Sequence, residues 1–157
     1  MKKLCIILAA VLVMCTALCA CSSGAESKKT LSEVWTKITG EVKFEDFNTF
    51  DAPKKLQRNY GITEDMMAEY AGGVNGSGVN QEEVVLVKAK DESSAKQIKD
   101  KLDTRFQSKL SQNKNYNAEQ AKMIEGCKVE QSGLYISMIV SDNAEAITKI
   151  YKTELGL

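Results

Sequence analysis

Histidine is absent from this 157-residue chain, proline occurs once and tryptophan once, and aromatic residues make up 6% of it. Without histidine no Ser-His-Asp or Cys-His constellation can form. Zinc would have to be held by cysteine or carboxylate alone. Charge of one sign is also missing: 21 Lys and Arg balance 21 Asp and Glu. That excludes the basic excess expected of a nucleic-acid partner. No phosphate-binding loop is present, because Gly72-Gly73 and Gly76-x-Gly78 lack the Lys-Ser/Thr and the following helix that such a loop needs. Those glycines read instead as a bulge or turn in an edge strand. The acids Glu45, Asp46 and Asp51 lack the alternate-residue spacing of a calcium loop and read as a solvated surface.

What is present begins at the N-terminus. Lys2 and Lys3 precede an uncharged, apolar run from Leu4 to Ala17 with Thr16 its one hydroxyl, followed by Leu18-Cys19-Ala20-Cys21 and Ser22-Ser23-Gly24. The run is short for a spanning helix, which needs roughly 20 residues, and suits the core of a signal peptide. This stretch resembles the signal and lipobox of a bacterial lipoprotein. The resemblance implies cleavage before Cys21, a diacylglyceryl group on its sulfur and a lipid anchor on the extracellular face of the cell membrane. An uncleaved anchor helix and an ordinary secretory signal are the alternatives, and Cys21 directly after Leu-x-Ala favours neither. Residues 1–20 are thus expected as a leader, forming an isolated helix over about 3–20 where they are retained.

Removing Lys2 and Lys3 leaves 19 basic residues against 21 acids, so no polybasic patch assists membrane contact. Of the five cysteines, Cys5, Cys15 and Cys19 leave with the leader and Cys21 carries the lipid. Cys127 remains as a lone thiol with no disulfide partner. It is expected to be buried and unreactive.

Residues 21–29 (CSSGAESKK) are small and polar and read as a flexible tether. A single α+β domain is expected over 30–157. Thr30 and Glu33 form a capping box, and Leu31, Val34, Trp35 and Ile38 share one helical face up to Gly40. Phe44, Phe47 and Phe50 recur every third residue, which suits an irregular or 3₁₀ segment. Pro53 opens a short helix ending at Gly61, and Thr63 caps another through Met66, Met67 and Tyr70. From residue 70 the pattern becomes ββα-ββα. Strands are expected at Ala71–Asn75 and Glu82–Ala89, then a long helix with Ala95, Ile98, Leu102, Phe106 and Leu110 inward. A loop at Gln112–Tyr116 and a short helix from Asn117 to Gly126 follow. A hairpin of Cys127–Gln131 and Leu134–Ser141 turns at Ser132-Gly133, and Asp142 caps a last helix. This order predicts an antiparallel sheet of about four strands with helices packed on it, preceded by a helical part over 30–69. Strand alternation puts Val85, Val87, Ile136 and Met138 on one face, and Val84, Leu86, Tyr135 and Ile139 on the other. The long and last helices are expected on the first face, with the N-terminal region or a partner covering the second.

Several of these segments are familiar together: Tyr60-Gly61-Ile62, Glu82-Glu83 before Val84-Val85-Leu86-Val87-Lys88-Ala89, Leu102-x-x-Arg105-Phe106, Tyr116-Asn117-x-Glu119-Gln120, Gly126-Cys127-Lys128-Val129 and Gly133-Leu134-Tyr135. They resemble domain of unknown function 4358, a family of small lipoproteins of Gram-positive bacteria, with Ser132 standing where that family often has Asn. None of these motifs is catalytic. The resemblance implies an extracytoplasmic lipoprotein and no known activity.

The residues offering chemistry are few. Glu83 sits where its strand can pair it with Arg105 on the following helix, an arrangement more often structural than catalytic. Tyr116 and Tyr135, with Arg105, could flank a ligand groove, though aromatics at such places are usually core edges. Met66-Met67 reads as core filling. The expected function is a non-enzymatic binding or scaffold domain held at the membrane, with an envelope protein or a second copy as partner and no cofactor or metal. The alternatives are a small-solute or peptide-binding accessory lipoprotein and, last, a hydrolase using only Glu83 and Glu69, whose signature would be a close carboxylate pair.

Overall fold

A computed structural model describes residues 29–157. The leader, Cys21, and all of the tether but Lys29 lie outside the described residues. The elements are α1 (Leu31–Glu41), β1 (Phe47–Thr49), α2 (Pro53–Tyr60), a 3₁₀ turn (Glu64–Met66), β2 (Met67–Asn75), β3 (Glu83–Ala89), α3 (Glu92–Tyr116), α4 (Ala118–Glu125), β4 (Lys128–Ser132), β5 (Tyr135–Val140) and α5 (Ala144–Leu155). The five strands form one antiparallel sheet in the order β1-β2-β3-β5-β4. The fold is therefore α+β, with five strands where the sequence predicted about four.

Local chemistry sets most boundaries. The Thr30–Glu33 capping box forms as expected, each side chain satisfying the other's orphan amide. Pro53 opens α2, and Gly61 closes it with a left-handed φ of 67°. Asp91 caps α3 through the Ser94 amide. Gly133, with φ 55°, takes the first central position of the two-residue β4–β5 turn.

The additional strand is β1. The Phe44–Phe50 segment is not a 3₁₀ piece: Phe47–Thr49 is extended and pairs with Asn75–Gly73. Phe44 and Phe47 stack beside Trp35, whereas Phe50 crosses to the opposite side of the sheet and meets Tyr60 edge-on. Strand β2 begins at Met67, so the helix expected through Tyr70 stops at Met66 and strand structure starts before residue 70. Helix α3 runs through the expected loop to Tyr116. The last helix has Asn143, not Asp142, at its cap. Gly72 and Gly73 lie in an interior strand and not at an edge. A Cβ at Gly72, whose φ is 121°, would stand 2.0 Å from the Val84 carbonyl oxygen, which is why only glycine fits there.

Two cores flank the sheet. Val85, Val87, Ile136, Met138 and Val140 pack under Ile98, Leu102 and Phe106 of α3, with Leu56, Tyr60 and Ile62. Val84, Leu86 and Ile139 pack under Leu31, Val34, Trp35 and Ile38 of α1 and Ile147, Tyr151 and Leu155 of α5. The alternation of the strands is as predicted, and the N-terminal helix does cover the second face. The partner helix differs. Helix α5 joins α1 on that face instead of α3 on the first, where its Ile147, Tyr151 and Leu155 bury beside Ile139 and the α1 stripe. Among the described residues no helix is long and apolar enough to cross a membrane.

Candidate functional site

Two polar places stand out against this apolar frame, one on each face. On the α3 face, Glu83 opens β3 with its side chain fully buried. Arg105 of α3 grips it with two hydrogen bonds, Nε to Oε1 at 3.1 Å and a terminal nitrogen to Oε2 at 2.9 Å. Lys109, one helical turn further on, places its ammonium 2.8 Å from Oε2 and donates to the Gln81 carbonyl and side-chain oxygens. The Tyr60 phenol feels the Glu83 charge. Burial by itself would raise the Glu83 carboxyl. The Arg105 hydrogen bonds and the Lys109 charge outweigh it and hold the carboxyl below its ordinary range. Burial pushes Lys109 down and Tyr60 up.

The neighbouring loop is tied to this cluster. Ser141 Oγ donates to Glu82 at 2.6 Å, and the Gln81 amide donates to the Gln120 side chain at 2.7 Å. The Glu83–Arg105 pair is as the sequence suggested. Lys109 was missed because a lysine inside an apolar stripe is normally read as solvated. Its spacing of three from Phe106 and four from Arg105 was the available signal. The Glu83 carboxylate, the Arg105 guanidinium and the Lys109 ammonium are paired with one another, and a network of this kind holds β3 and α3 together.

The other proposed residues do not join it. Tyr116 is 89% exposed at the end of α3. Tyr135 lies on the opposite face of the sheet, 5.5 Å beneath the Lys88 ammonium. Arg105, Tyr116 and Tyr135 therefore line no common cleft. Glu69 and Glu83 do not pair either. Glu69 faces Lys88 in the β2–β3 register whereas Glu83 faces Val74, about 17 Å away along the strand. Glu69 is held by Lys88 at 3.2 Å and by the Leu31 amide at 2.8 Å. Among the described residues no group of three or more cysteines and carboxylates converges as metal ligands would.

The second place is on the α1/α5 face, where helices cover β2, β3 and β5 but not β4. Between β4–β5 and α5 lies a groove of about 430 Å³, floored by Glu130, Ser137 and Ile139 and walled by Ala144, Glu145, Thr148 and Lys149. Glu130 and Ser137 also border an adjoining cavity of about 240 Å³ lined by Tyr135, Tyr151, Lys152 and the terminal Leu157. Tyr151 is 3% exposed, and its hydroxyl is buried with no hydrogen-bond partner. Burial, with the Tyr135 and Glu130 charges added, raises that phenol well above its ordinary value. Glu130 is bridged by Lys128 at 2.8 Å and Lys152 at 3.0 Å, and the Lys128 hydrogen bond leads the effects that hold its carboxyl low. Tyr151 lies on the buried face of α5 with Ile147 and Leu155, and periodicity alone does not reveal that its hydroxyl lacks a partner.

Cys127 stands at the open end of the groove, at the strand's threshold and not within it. It is half-buried where full burial was expected, because it precedes the outermost strand and borders the groove. Its thiol donates to the Met123 carbonyl at 3.2 Å and the Ser141 carbonyl at 3.6 Å. Burial raises its pKa.

No curated protein and no solved structure matches this chain. One family model does, described as Domain of unknown function (DUF4358), over residues 41–141. That span contains β1 to β5 and the whole Glu83–Arg105–Lys109 cluster, and it stops before α5. Because the match covers well over half of the chain, the protein belongs to the DUF4358 family.

Proposed function

We propose that this protein is a lipid-anchored domain outside the cell membrane that binds a ligand and carries out no chemistry on it, and that the ligand contacts the groove between β4–β5 and α5. The observation that carries this reading is the Tyr151 hydroxyl, buried and unpartnered beside the groove. A buried hydroxyl without a partner costs about 1–3 kcal/mol, and a ligand filling the adjoining cavity would supply the missing hydrogen bond. The Glu83 cluster supports the non-enzymatic part, since its charges are spent on one another. The groove is of the size that takes a small solute. Its floor and walls carry Glu130 and Glu145 against Lys128 and Lys149, with Ser137 and Thr148 between them. That balance suits a small polar molecule bearing both charges, or the end of a peptide.

The anchor rests on Leu18-Cys19-Ala20-Cys21. A nine-residue tether, Cys21–Lys29, spans at most about 30 Å. Lys29 pairs with Glu154 of α5, so the tether enters on the groove's own face. The ligand would then be met close to the bilayer.

Two measurements test the two halves. Intact mass of the membrane-extracted protein should show a diacylglyceryl adduct at an N-terminal Cys21, and an unmodified Cys21 overturns the anchor. Titration of the isotope-labelled protein with amino acids, dipeptides and amino sugars should shift the amides of Ser137, Thr148 and Lys149. Shifts centred on Arg105 and Tyr60 would place binding elsewhere.

A further inference from the structure

The sheet has two edges, and they are finished differently. Strand β1 is three residues long, follows the sharp turn at Asp46, and has its Thr49 carbonyl taken by the Lys55 ammonium at 3.1 Å. Strand β4 is five residues long, and no strand pairs with its outer side among the described residues. Unpaired strand edges are templates for further pairing.

The direction of the free groups on β4 follows from its partner. The Leu134 carbonyl accepts from the Ala89 amide, so the even-numbered residues of β5 bond toward β3 and the odd-numbered ones toward β4. Ser132, Glu130 and Lys128 face Tyr135, Ser137 and Ile139 and so exchange their hydrogen bonds with β5. The amides and carbonyls of Val129 and Gln131 are left pointing outward.

We propose that β4 pairs antiparallel with β4 of a second copy, about a two-fold axis through Val129. Axes through Val129, Glu130 or Gln131 bring outward groups together. An axis through Gln131 runs out of strand at the Gly133 turn. An axis through Val129 sets Val129 opposite Val129 and Gln131 opposite Cys127. It also sets Lys128 opposite Glu130 twice, because the two are equally spaced about the axis. A shift of one residue would instead set Glu130 against Glu130. The self-complementary charge pattern therefore selects this register as well as the occupant. Cys127 already spends its amide on the Ile124 carbonyl but keeps a carbonyl to accept from Gln131. Lys128, Glu130 and Ser132 lie on the groove side of the sheet, so pairing would join the two grooves into one trough walled by two α5 helices. This inference rests on the β4 edge and holds whatever the groove contains.

Cysteine cross-linking of the full chain in intact cells tests it. The parent carries Cys127→Ser and gives the background from the remaining cysteines. Val129→Cys in that parent places two Cα atoms about 5.5 Å apart, inside the range of a disulfide. Gln131→Cys places them about 14 Å apart. On oxidation Val129→Cys should give a dimer band several-fold above the parent, and Gln131→Cys should stay at background. Adding Glu130→Lys should reduce the Val129→Cys dimer, and adding Lys128→Glu as well should restore it. Val129→Cys at background, Gln131→Cys equal to it, or a yield that ignores both charge changes would each overturn the pairing.

Discussion

Replacing Glu83 by glutamine tests the buried cluster most sharply, because its two cations differ in their escape. The Arg105 side chain is 39% exposed and can turn to water, whereas Lys109 is 5% exposed and cannot. Glu83→Gln leaves Lys109 as a buried charge without its counter-ion, which costs about 3–5 kcal/mol. A domain of this size is stable by about 5–15 kcal/mol, and each kcal/mol moves the melting point by about 4 °C. The variant should therefore melt roughly 12–20 °C lower. Trp35, the only tryptophan and 8% exposed, reports unfolding in urea by its fluorescence. Lys109→Met alone leaves Glu83 with Arg105 and costs about 1–3 kcal/mol, chiefly at the Gln81 carbonyl. Combined with Glu83→Gln it removes the stranded charge, so the pair should cost no more than Glu83→Gln alone, a coupling of about 2 kcal/mol. A double variant as unstable as the sum of the two, or a Glu83→Gln loss under about 1 kcal/mol, would refute the account.

Three further outcomes follow from the same geometry. The Glu83 carboxyl titrates below its unfolded value of about 4.3, so its contribution is present above that pH and is lost as pH falls through the folded pKa; Glu83→Gln should flatten the acid limb of an unfolding-against-pH curve below about pH 4. Gly72→Ala drives a Cβ into the Val84 carbonyl and should cost more than about 4 kcal/mol, seen as loss of soluble protein, whereas Gly78→Ala, with open space around it, should cost about 1–2 kcal/mol for its positive φ. The Cys127 thiol, partly buried and hydrogen-bonded to two carbonyls, should react with a thiol reagent at pH 7.5 roughly tenfold more slowly than a free cysteine, and equal rates would contradict its placement.

The core was legible in the sequence where burial is repeated at a regular spacing. The α1 and α3 stripes, the β4–β5 turn at Gly133 and the two faces of β3 and β5 all follow from periodicity and local turn chemistry. Strand β1 was not legible, because its three phenylalanines mimic a period of three while serving two different faces. The extension of α3 to Tyr116 was hidden because Gln112–Tyr116 is polar and packs little. At the candidate sites, Glu83 with Arg105 could be foreseen from strand-to-helix adjacency. The groove could not, since it arises from how α5 chooses a face, and no residue pattern within α5 or β4 records that choice. The same is true of the missing partner of Tyr151, which depends on residues from three separate elements.

In the cavity adjoining the α5 groove, the buried Tyr151 hydroxyl is proposed to await a ligand at some cost to stability. Tyr151→Phe removes that hydroxyl and little else, so the measurement is the urea midpoint of the variant against the parent in the absence of any added solute. The midpoint should equal the parent's or exceed it, by up to about 1–2 kcal/mol, because an unsatisfied buried group is being removed. A loss of more than about 1 kcal/mol would mean that the hydroxyl already has a structural partner, and the groove would lose its claim as the binding site.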